Sequence, residues 1–102
     1  MVFSDELLKS LAEDGINFTR DPDGTLTYVS NYEHVVAVVD PIKNNFILES
    51  QVCDPNESGK IGTWGFNETD DDPEQLLRDI AESAGNLDQA FEHMFENLVN
   101  YV

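Results

Sequence analysis

The period at which apolar residues recur changes twice along this chain, and that change limits the folds open to it. Apolar residues recur every three or four positions near the N-terminus, alternate with polar residues from Ile16 to Phe66, and return to the longer spacing after Pro73. The longer spacing is typical of an amphipathic helix, and alternation is typical of a strand with one buried face. Since 102 residues suffice for one hydrophobic core, the sequence predicts a single α+β domain over residues 1–102.

One helix and the strands are expected in the first two thirds of the chain. Ser4 has the position of a helix N-cap and Gly15 that of a helix stop, so the first helix is expected over residues 5–14. Turn residues, such as those at 21–24, divide the next segment into a four- to five-stranded antiparallel sheet, because the connections are too short for crossover helices. The strands are expected near residues 16–20, 25–30, 34–39, 46–52 and 61–66. The run Val35–Val39 is apolar throughout, which favours a central strand covered on both faces.

Two C-terminal helices are predicted after the strands. Asp72 and Pro73 form a helix start, and the second helix is expected over residues 73–84, ended by Gly85. Asn86 has the position of an N-cap for a third helix. The apolar residues of that helix recur every three or four positions and are Leu87, Ala90, Phe91, Met94, Phe95, Leu98, Val99 and Val102.

The net charge of the chain is −16, from 21 acidic residues and five Lys and Arg. So few basic residues cannot neutralise phosphates, which argues against a protein that binds nucleic acids or anionic membranes. The charge is unevenly placed, because residues 68–102 hold ten acidic residues and one basic residue. Like charges four residues apart destabilise a helix by about 0.2–0.5 kcal/mol per pair, so their accumulation indicates a function for them.

Residue types that carry chemistry are sparse. Cys53 is the single cysteine, which excludes a disulfide framework and a cysteine-based zinc cluster. The acidic turn at residues 21–24 has its glycine at the fourth position, whereas an EF-hand calcium loop needs it at the sixth. His34 and His93 lie in no zinc-binding or nucleophile motif. We therefore expect no enzymatic activity, metal or cofactor, and the lack of a signal sequence or membrane-spanning stretch predicts a cytoplasmic location.

The acidic residues of the C-terminal third are the candidate partner-binding site. On the predicted third helix, Asp88, Glu92 and Glu96 follow each other at intervals of four, opposite the apolar stripe. The helical rise spaces such carboxylates about 6 Å apart. We expect the surface that faces a partner to comprise Glu68, Asp70, Asp71, Asp72, Glu74, Asp79, Glu82, Asp88, Glu92 and Glu96.

In size, charge and acidic helix rows, the segment from Glu68 to Glu96 resembles DNA-mimic inhibitors of phages and mobile elements, which include anti-restriction proteins, uracil-glycosylase inhibitors and anti-CRISPR proteins. The resemblance implies a non-enzymatic inhibitor that binds the basic nucleic-acid-binding surface of a partner protein. Two alternatives stay open. A helix followed by a strand meander also looks like an acidic secretion chaperone or adaptor, which would bind an extended client on its sheet. A salt-adapted proteome would give a domain of any function the same charge.

The last predicted helix carries more apolar residues than a domain of this size covers. Eight apolar residues at helical spacing lie between Leu87 and Val102. The second helix and one sheet face are too small to bury them all, and exposed apolar stripes of this kind mark interfaces. The sequence therefore predicts a homodimer through Phe91, Met94, Phe95 and Leu98.

The charge also predicts a stability that depends on salt. Repulsion among exposed carboxylates is screened beyond a Debye length of about 8 Å at physiological ionic strength. We expect the melting temperature, measured by circular dichroism, to rise by several degrees between about 10 mM and about 500 mM NaCl. An unchanged melting temperature would show that the carboxylates are compensated within the fold.

Overall fold

The chain folds as a helix, five strands and a second helix, in that order. The computed structural model describes residues 1–52 and 59–100, with side chains up to residue 98. The elements are α1 (Asp5–Glu13), β1 (Phe18–Arg20), β2 (Leu26–Val29), β3 (Val35–Asp40), β4 (Asn45–Ser50), β5 (Lys60–Gly65) and α2 (Pro73–Asn100). The predicted α+β class and five-stranded antiparallel sheet are confirmed, and Cys53 lies outside the described residues.

Local sequence sets both ends of α1. The Ser4 hydroxyl oxygen accepts a hydrogen bond from the Leu7 backbone N–H at 3.2 Å, which satisfies one of the free donors of the first turn. After Asp14 the chain leaves the helix through Gly15, whose φ of 84° favours glycine. Leu11 is fully buried and turns the apolar side of α1 towards the core. The predicted helix agrees with α1 to within a residue at each end.

The five strands form one sheet in which neighbours in sequence are neighbours in space. The turn predicted at residues 21–24 connects β1 to β2. The Gly24 N–H donates to the Asp21 carbonyl, and Gly24 has a φ of 90°. Alternate strand residues point to the side on which the helices pack, which we call the inner face. Its buried residues are Phe18, Leu26, Tyr28, Val35, Ala37, Val39 and Leu48.

The opposite side of the sheet, the outer face, is not covered by either helix of the described residues. β3 is the central strand, as predicted, but Val36 on its outer side is only partly buried. The expectation that this strand is covered on both faces is therefore wrong for the described part of the chain, because α1 and α2 contribute to a single core on the inner face. A row of β-branched residues crosses the outer face in register, and it consists of Thr19, Thr27, Val38, Ile47 and Thr63.

One helix, α2, takes the place of the two predicted C-terminal helices. Asp72 caps it, because its carboxylate accepts hydrogen bonds from the backbone N–H groups of Glu74 at 2.9 Å and Gln75 at 3.3 Å. The expectation that Gly85 ends one helix and Asn86 begins another is wrong, since both lie within α2 and Gly85 has no positive φ. A glycine inside a helix costs about 1 kcal/mol relative to alanine. The tertiary contacts on either side of Gly85 offset that cost.

The C-terminal part of α2 extends beyond the sheet. A helix of 28 residues is about 42 Å long, whereas the longest strands have six residues and span about 20 Å. Met94 and Leu98 are 57% and 60% exposed. We call residues 89–98 the overhang. Neither α2 nor α1, the helices of the described residues, combines the length and the apolar composition of a membrane span.

The continuity of α2 predicts the effect of filling its glycine. We expect Gly85→Ala to raise the free energy of unfolding by about 1 kcal/mol, because an added Cβ meets no atom within 4 Å. The control is Gly24→Ala, which should destabilise the protein because the φ of 90° at this turn strains any other residue. Urea unfolding followed by circular dichroism measures both. A destabilised Gly85→Ala protein would indicate a helix stop at this position and contradict a continuous α2.

Candidate functional site

Charged side chains are distributed unequally between the two sides of the sheet. Both helices pack on the inner face and, with the segment that leads into α2, hold most of the exposed carboxylates. On the outer face, Glu49 of β4 faces Lys60 of β5. We call the exposed carboxylates of the helical side the acidic layer, which consists of Asp5, Glu6, Glu13, Asp14, Glu68, Asp70, Asp71, Asp72, Asp79, Glu82 and Glu96.

Arg78 and the N-terminal amine, two of the cations near the acidic layer, are held by particular carboxylates. Arg78 bonds to Asp14 at 2.6 Å and to Glu74 at 3.3 Å, and these hydrogen bonds, that of Asp14 first, raise the pKa of the guanidinium. The N-terminal amine lies 3.1 Å from Glu68, and its hydrogen bond lowers the pKa of that carboxyl. Within residues 1–52 and 59–98, no ion pair reaches Asp70, Asp71, Asp72, Asp79 or Glu82. These carboxylates leave the start of α2 strongly negative.

A small cavity at the start of α2 is lined by carboxylates. Its volume is about 130 Å³, and its lining residues are Asp71, Asp72, Gln75, Leu76 and Asp79. Local hydrogen bonds orient them: the Asn67 N–H donates to Asp71 at 2.6 Å, and the Gln75 amide donates to Asp79 at 2.9 Å. Carboxylates beside an apolar side chain suit a Lys or Arg side chain, because its stem is apolar and its head is charged.

Asp88 is not part of the acidic layer. It is 1% exposed, and its two carboxylate oxygens accept hydrogen bonds from the backbone N–H groups of Tyr32 at 2.8 Å and His34 at 3.0 Å. Burial alone would raise the pKa of this carboxyl, but the two N–H groups, aided by the Ser30 hydroxyl and the charge of His34, outweigh burial and lower it. The expectation that Asp88 faces a partner is wrong. It instead connects α2 to the loop between β2 and β3.

The predicted row of Asp88, Glu92 and Glu96 does not form one solvent-facing edge. Successive members of an i, i+4 row turn by about 40° around the helix axis, and the β2–β3 loop packs against the first two. Glu92 is partly buried and accepts a hydrogen bond from His34 Nε2 at 2.7 Å. Glu96 is exposed. The row therefore contributes a single carboxylate, Glu96, to the acidic layer.

The other predicted site residues lie at the surface of the helical side. Glu74 is partly exposed, and six more are exposed: Glu68, Asp70, Asp71, Asp72, Asp79 and Glu82. The structure adds the carboxylates of α1, which the sequence analysis left out. Because Asp14 reaches Arg78, α1 and the first turns of α2 form one continuous surface.

Sequence analysis also missed the partners of Asp88, although one signal pointed to them. Asp88 continues the row of Ile80 and Ala84 at intervals of four, and both of those residues are buried. In one continuous helix that register places Asp88 against the sheet. A buried carboxylate then requires hydrogen-bond donors, which the loop at residues 30–34 supplies.

Ser30, His34 and Asp88 meet at one corner but are not connected as a catalytic triad. A triad needs the imidazole ring between the carboxylate and the nucleophile. Here Asp88 bonds to the backbone N–H of His34, whereas the ring bonds to Glu92. In the part of the chain that the structure describes, no three His, Cys, Asp or Glu side chains are grouped so as to hold a metal ion.

A second, less polar cavity lies beside α2 over the last two strands. Its volume is about 340 Å³, and it is lined by Phe46, Leu48, Trp64 and Ser83. The Trp64 and Phe46 rings stack with their centroids 5.4 Å apart, and Trp64 is 44% exposed on the edge strand β5. Gly62 is required beneath the indole, since an added Cβ would lie 2.7 Å from it. Trp64 is therefore a partly buried aromatic residue at the edge of the sheet.

The burial of Asp88 predicts a loss of stability when its charge is removed. We expect Asp88→Asn to lower the free energy of unfolding at pH 7 by about 1–3 kcal/mol. The NH₂ group of Asn cannot accept a hydrogen bond, so one of the two backbone N–H donors would be left without an acceptor. The pKa of Asp88 lies below its ordinary value of 3.8 in the folded protein. The carboxylate therefore contributes its full stability above that value and loses it as the pH falls through the folded pKa.

The measurement is urea unfolding of both proteins between neutral and acidic pH. The difference between them should be largest at neutral pH and should shrink below about pH 4. Glu82→Gln, which removes an exposed carboxylate from the same helix, is the matched control and should change stability little. Equal stability of Asp88→Asn and wild type at pH 7 would show that Asp88 is not an anchor.

Comparisons of the chain with protein-family models, curated proteins and solved structures find no match. Two surfaces remain from which a function can be argued: the acidic layer on the helical side and the apolar residues of the overhang.

Proposed function

We propose that this chain is a small, non-enzymatic inhibitor whose acidic layer occupies the basic nucleic-acid-binding surface of a partner protein, as a DNA mimic of the anti-restriction or anti-CRISPR kind. The observation that supports the proposal is the segregation of charge. The helical side carries the eleven exposed carboxylates of the acidic layer, whereas the outer face has Glu49 opposite Lys60 and the partly buried Asp21 and Asp40. Carboxylates that only kept the protein soluble would not need to be concentrated on one side of the sheet.

Carboxylates at this density can take the place of phosphates. A nucleic-acid-binding groove holds phosphates with Lys and Arg, and the same side chains bind carboxylates. The cavity lined by Asp71, Asp72 and Asp79 would bind one Lys or Arg side chain of the partner. Complementary charge over a whole surface speeds association and rejects partners of the wrong sign.

The acidic layer is also partly ordered before it binds. Asp72 is fixed by its capping hydrogen bonds, Asp79 by Gln75, and Asp71 by Asn67. Side chains that are already oriented lose less conformational entropy in a complex. The proposal places the protein in the cytoplasm, where its basic partners act, and a single cysteine agrees with that reducing compartment.

A second candidate function rests on the outer face. Val29 is 47% exposed there, and Val36 lies beside it on β3 in register. In a chaperone or adaptor, an extended client would bind to this apolar surface. Such binding would survive high salt, because burial of apolar surface does not depend on charge. Binding to the acidic layer would weaken steeply with salt.

We expect reversal of two carboxylates in the acidic layer to weaken binding at least about tenfold without unfolding the protein. The variant is Asp79→Lys with Glu82→Lys, both exposed on α2. The control is Glu33→Lys with Glu49→Lys, which changes the net charge equally but lies outside the acidic layer. Each protein is immobilised and exposed to a cell extract fraction that binds duplex-DNA cellulose and elutes with salt.

The proposal requires wild type and the control variant to retain a protein from that fraction. Free duplex DNA should release it, and the Asp79→Lys, Glu82→Lys variant should retain at least about tenfold less, because the charges that steer and hold the partner are reversed. Two results together would overturn the proposal. The Asp79→Lys, Glu82→Lys variant would still retain the protein in the presence of free DNA and of salt, and a folded Val29→Asn variant would no longer bind it. The client-binding function would then replace it.

A further inference from the structure

A third cavity lies between α2, β2 and the segment that leads into β1, on the side of α2 that faces α1. Its volume is about 320 Å³, and its lining residues are Ile16, Tyr28, Arg78, Ala81 and Glu82. It shares no lining residue with the cavity at the start of α2 or with the cavity beside Trp64. A volume of about 300 Å³ is at the lower end of the range for pockets that bind small molecules.

The hydroxyl group of Tyr28 has no hydrogen-bond partner in this arrangement. Tyr28 is 9% exposed, and its ring packs on Phe18 with the centroids 5.3 Å apart. Within residues 1–52 and 59–98, no backbone or side-chain group bonds to its hydroxyl. The same residues contain no fully buried side-chain N or O atom without a partner, so the hydroxyl is open to the cavity that Tyr28 lines. An unpaired polar group at a buried residue indicates a ligand that would bind it.

Groups of opposite charge lie beside this hydroxyl, on neighbouring turns of α2. Arg78 bonds to Asp14 and Glu74 through Nη2 alone, so its Nη1 and Nε atoms keep N–H donors for a ligand. Glu82 is exposed, and within the described residues no ion pair reaches it. Residues four apart on a helix have Cβ atoms about 5–6 Å apart. A donor group and an acceptor group are therefore offered side by side.

We propose that this cavity binds a free α-amino acid with an apolar side chain. The carboxylate of the ligand accepts hydrogen bonds from Arg78 and from the Tyr28 hydroxyl, and its ammonium group donates to Glu82. Its side chain contacts Ile16, Ala81 and the Tyr28 ring, which are the apolar part of the lining.

The size of the cavity agrees with such a ligand. A water molecule takes about 30 Å³ of the liquid, so the cavity has room for about ten non-hydrogen atoms. Leucine and phenylalanine are molecules of that size.

The local charge favours a ligand with both signs of charge. Asp14, Glu74 and Glu82 outnumber the guanidinium of Arg78, so a ligand that is only an anion would be repelled. A ligand that is only a cation would be attracted equally to other carboxylates of the acidic layer. An amino acid carries no net charge, and each of its two charged groups meets the opposite charge in this cavity.

The protonation state of Tyr28 also suits a carboxylate. Burial first, and then the charge of Asp88, raise the pKa of the Tyr28 hydroxyl above its ordinary value of 10.0. The hydroxyl therefore keeps its proton at neutral pH and can donate it.

NMR titration of the ¹⁵N-labelled protein tests the site. We expect L-leucine or L-phenylalanine to bind with a dissociation constant of about 0.1–1 mM and to shift the backbone N–H signals of Ala81 and Glu82. Tyr28→Phe removes the hydroxyl, and Glu82→Gln removes the carboxylate. Each should raise the dissociation constant at least about tenfold, because a hydrogen bond to a charged group is lost.

The matched control is Glu96→Gln, which removes an exposed carboxylate from the other end of α2 and should leave the dissociation constant unchanged. The spectrum of each variant shows whether it is folded, and the exposed position of Glu82 keeps the test available if Tyr28→Phe unfolds. The absence of binding by both amino acids at about 10 mM would overturn the proposal, as would unchanged binding by folded Glu82→Gln.

Analogues of the amino acid that binds test which of its groups are recognised. The N-acetyl form lacks the ammonium group and the decarboxylated amine lacks the carboxylate, so each should bind at least about tenfold more weakly. The amide form distinguishes a free amino acid from the N-terminal residue of a polypeptide. Equal binding of the amide or the amine would overturn the proposal. These titrations contain no basic protein, so this proposal and the proposed function can fail independently.

Discussion

The carboxylate of Asp88, held by two backbone N–H groups, is the interaction on which the arrangement of α2 depends. A charge can be buried only where donors replace the water that it loses. The loop between β2 and β3 supplies those donors through the backbone N–H groups of Tyr32 and His34. These hydrogen bonds attach the long helix to that end of the sheet. The helix packs on the core as far as Phe91, and the more exposed Met94 and Leu98 lie beyond that contact. One helix consequently contributes to the core along most of its length and extends beyond it at its C-terminal end.

Features decided by neighbouring residues could be predicted from the sequence. The cap at Ser4 and the glycine turn after β1 depend on contacts within a few residues, and both are found as expected. The continuity of α2 through Gly85 depends on packing against strands that are distant in sequence, which local preference cannot report. That error also misplaced Asp88, because a break at Gly85 removed the link between its register and the buried row before it.

The candidate site divides in the same way. Asp79 and Glu82 lie on the polar side of the second predicted helix, opposite its apolar stripe. Their exposure could therefore be inferred from the sequence. The contribution of α1 could not, since the contact between Asp14 and Arg78 joins residues 64 apart. That contact places four more carboxylates beside those of α2. It also holds together two helices that their charges would otherwise push apart.

Salt would affect contacts through the two surfaces of α2 differently. Binding through the acidic layer draws on the attraction between opposite charges, which screening weakens. A contact made through the overhang would draw on apolar burial, which does not depend on charge. Under the proposed function, raising the ionic strength is therefore expected to release a partner from the acidic layer and to leave an apolar contact of the overhang in place. The two surfaces are not fully separate on the helix, because the exposed Glu96 of the acidic layer lies on the overhang.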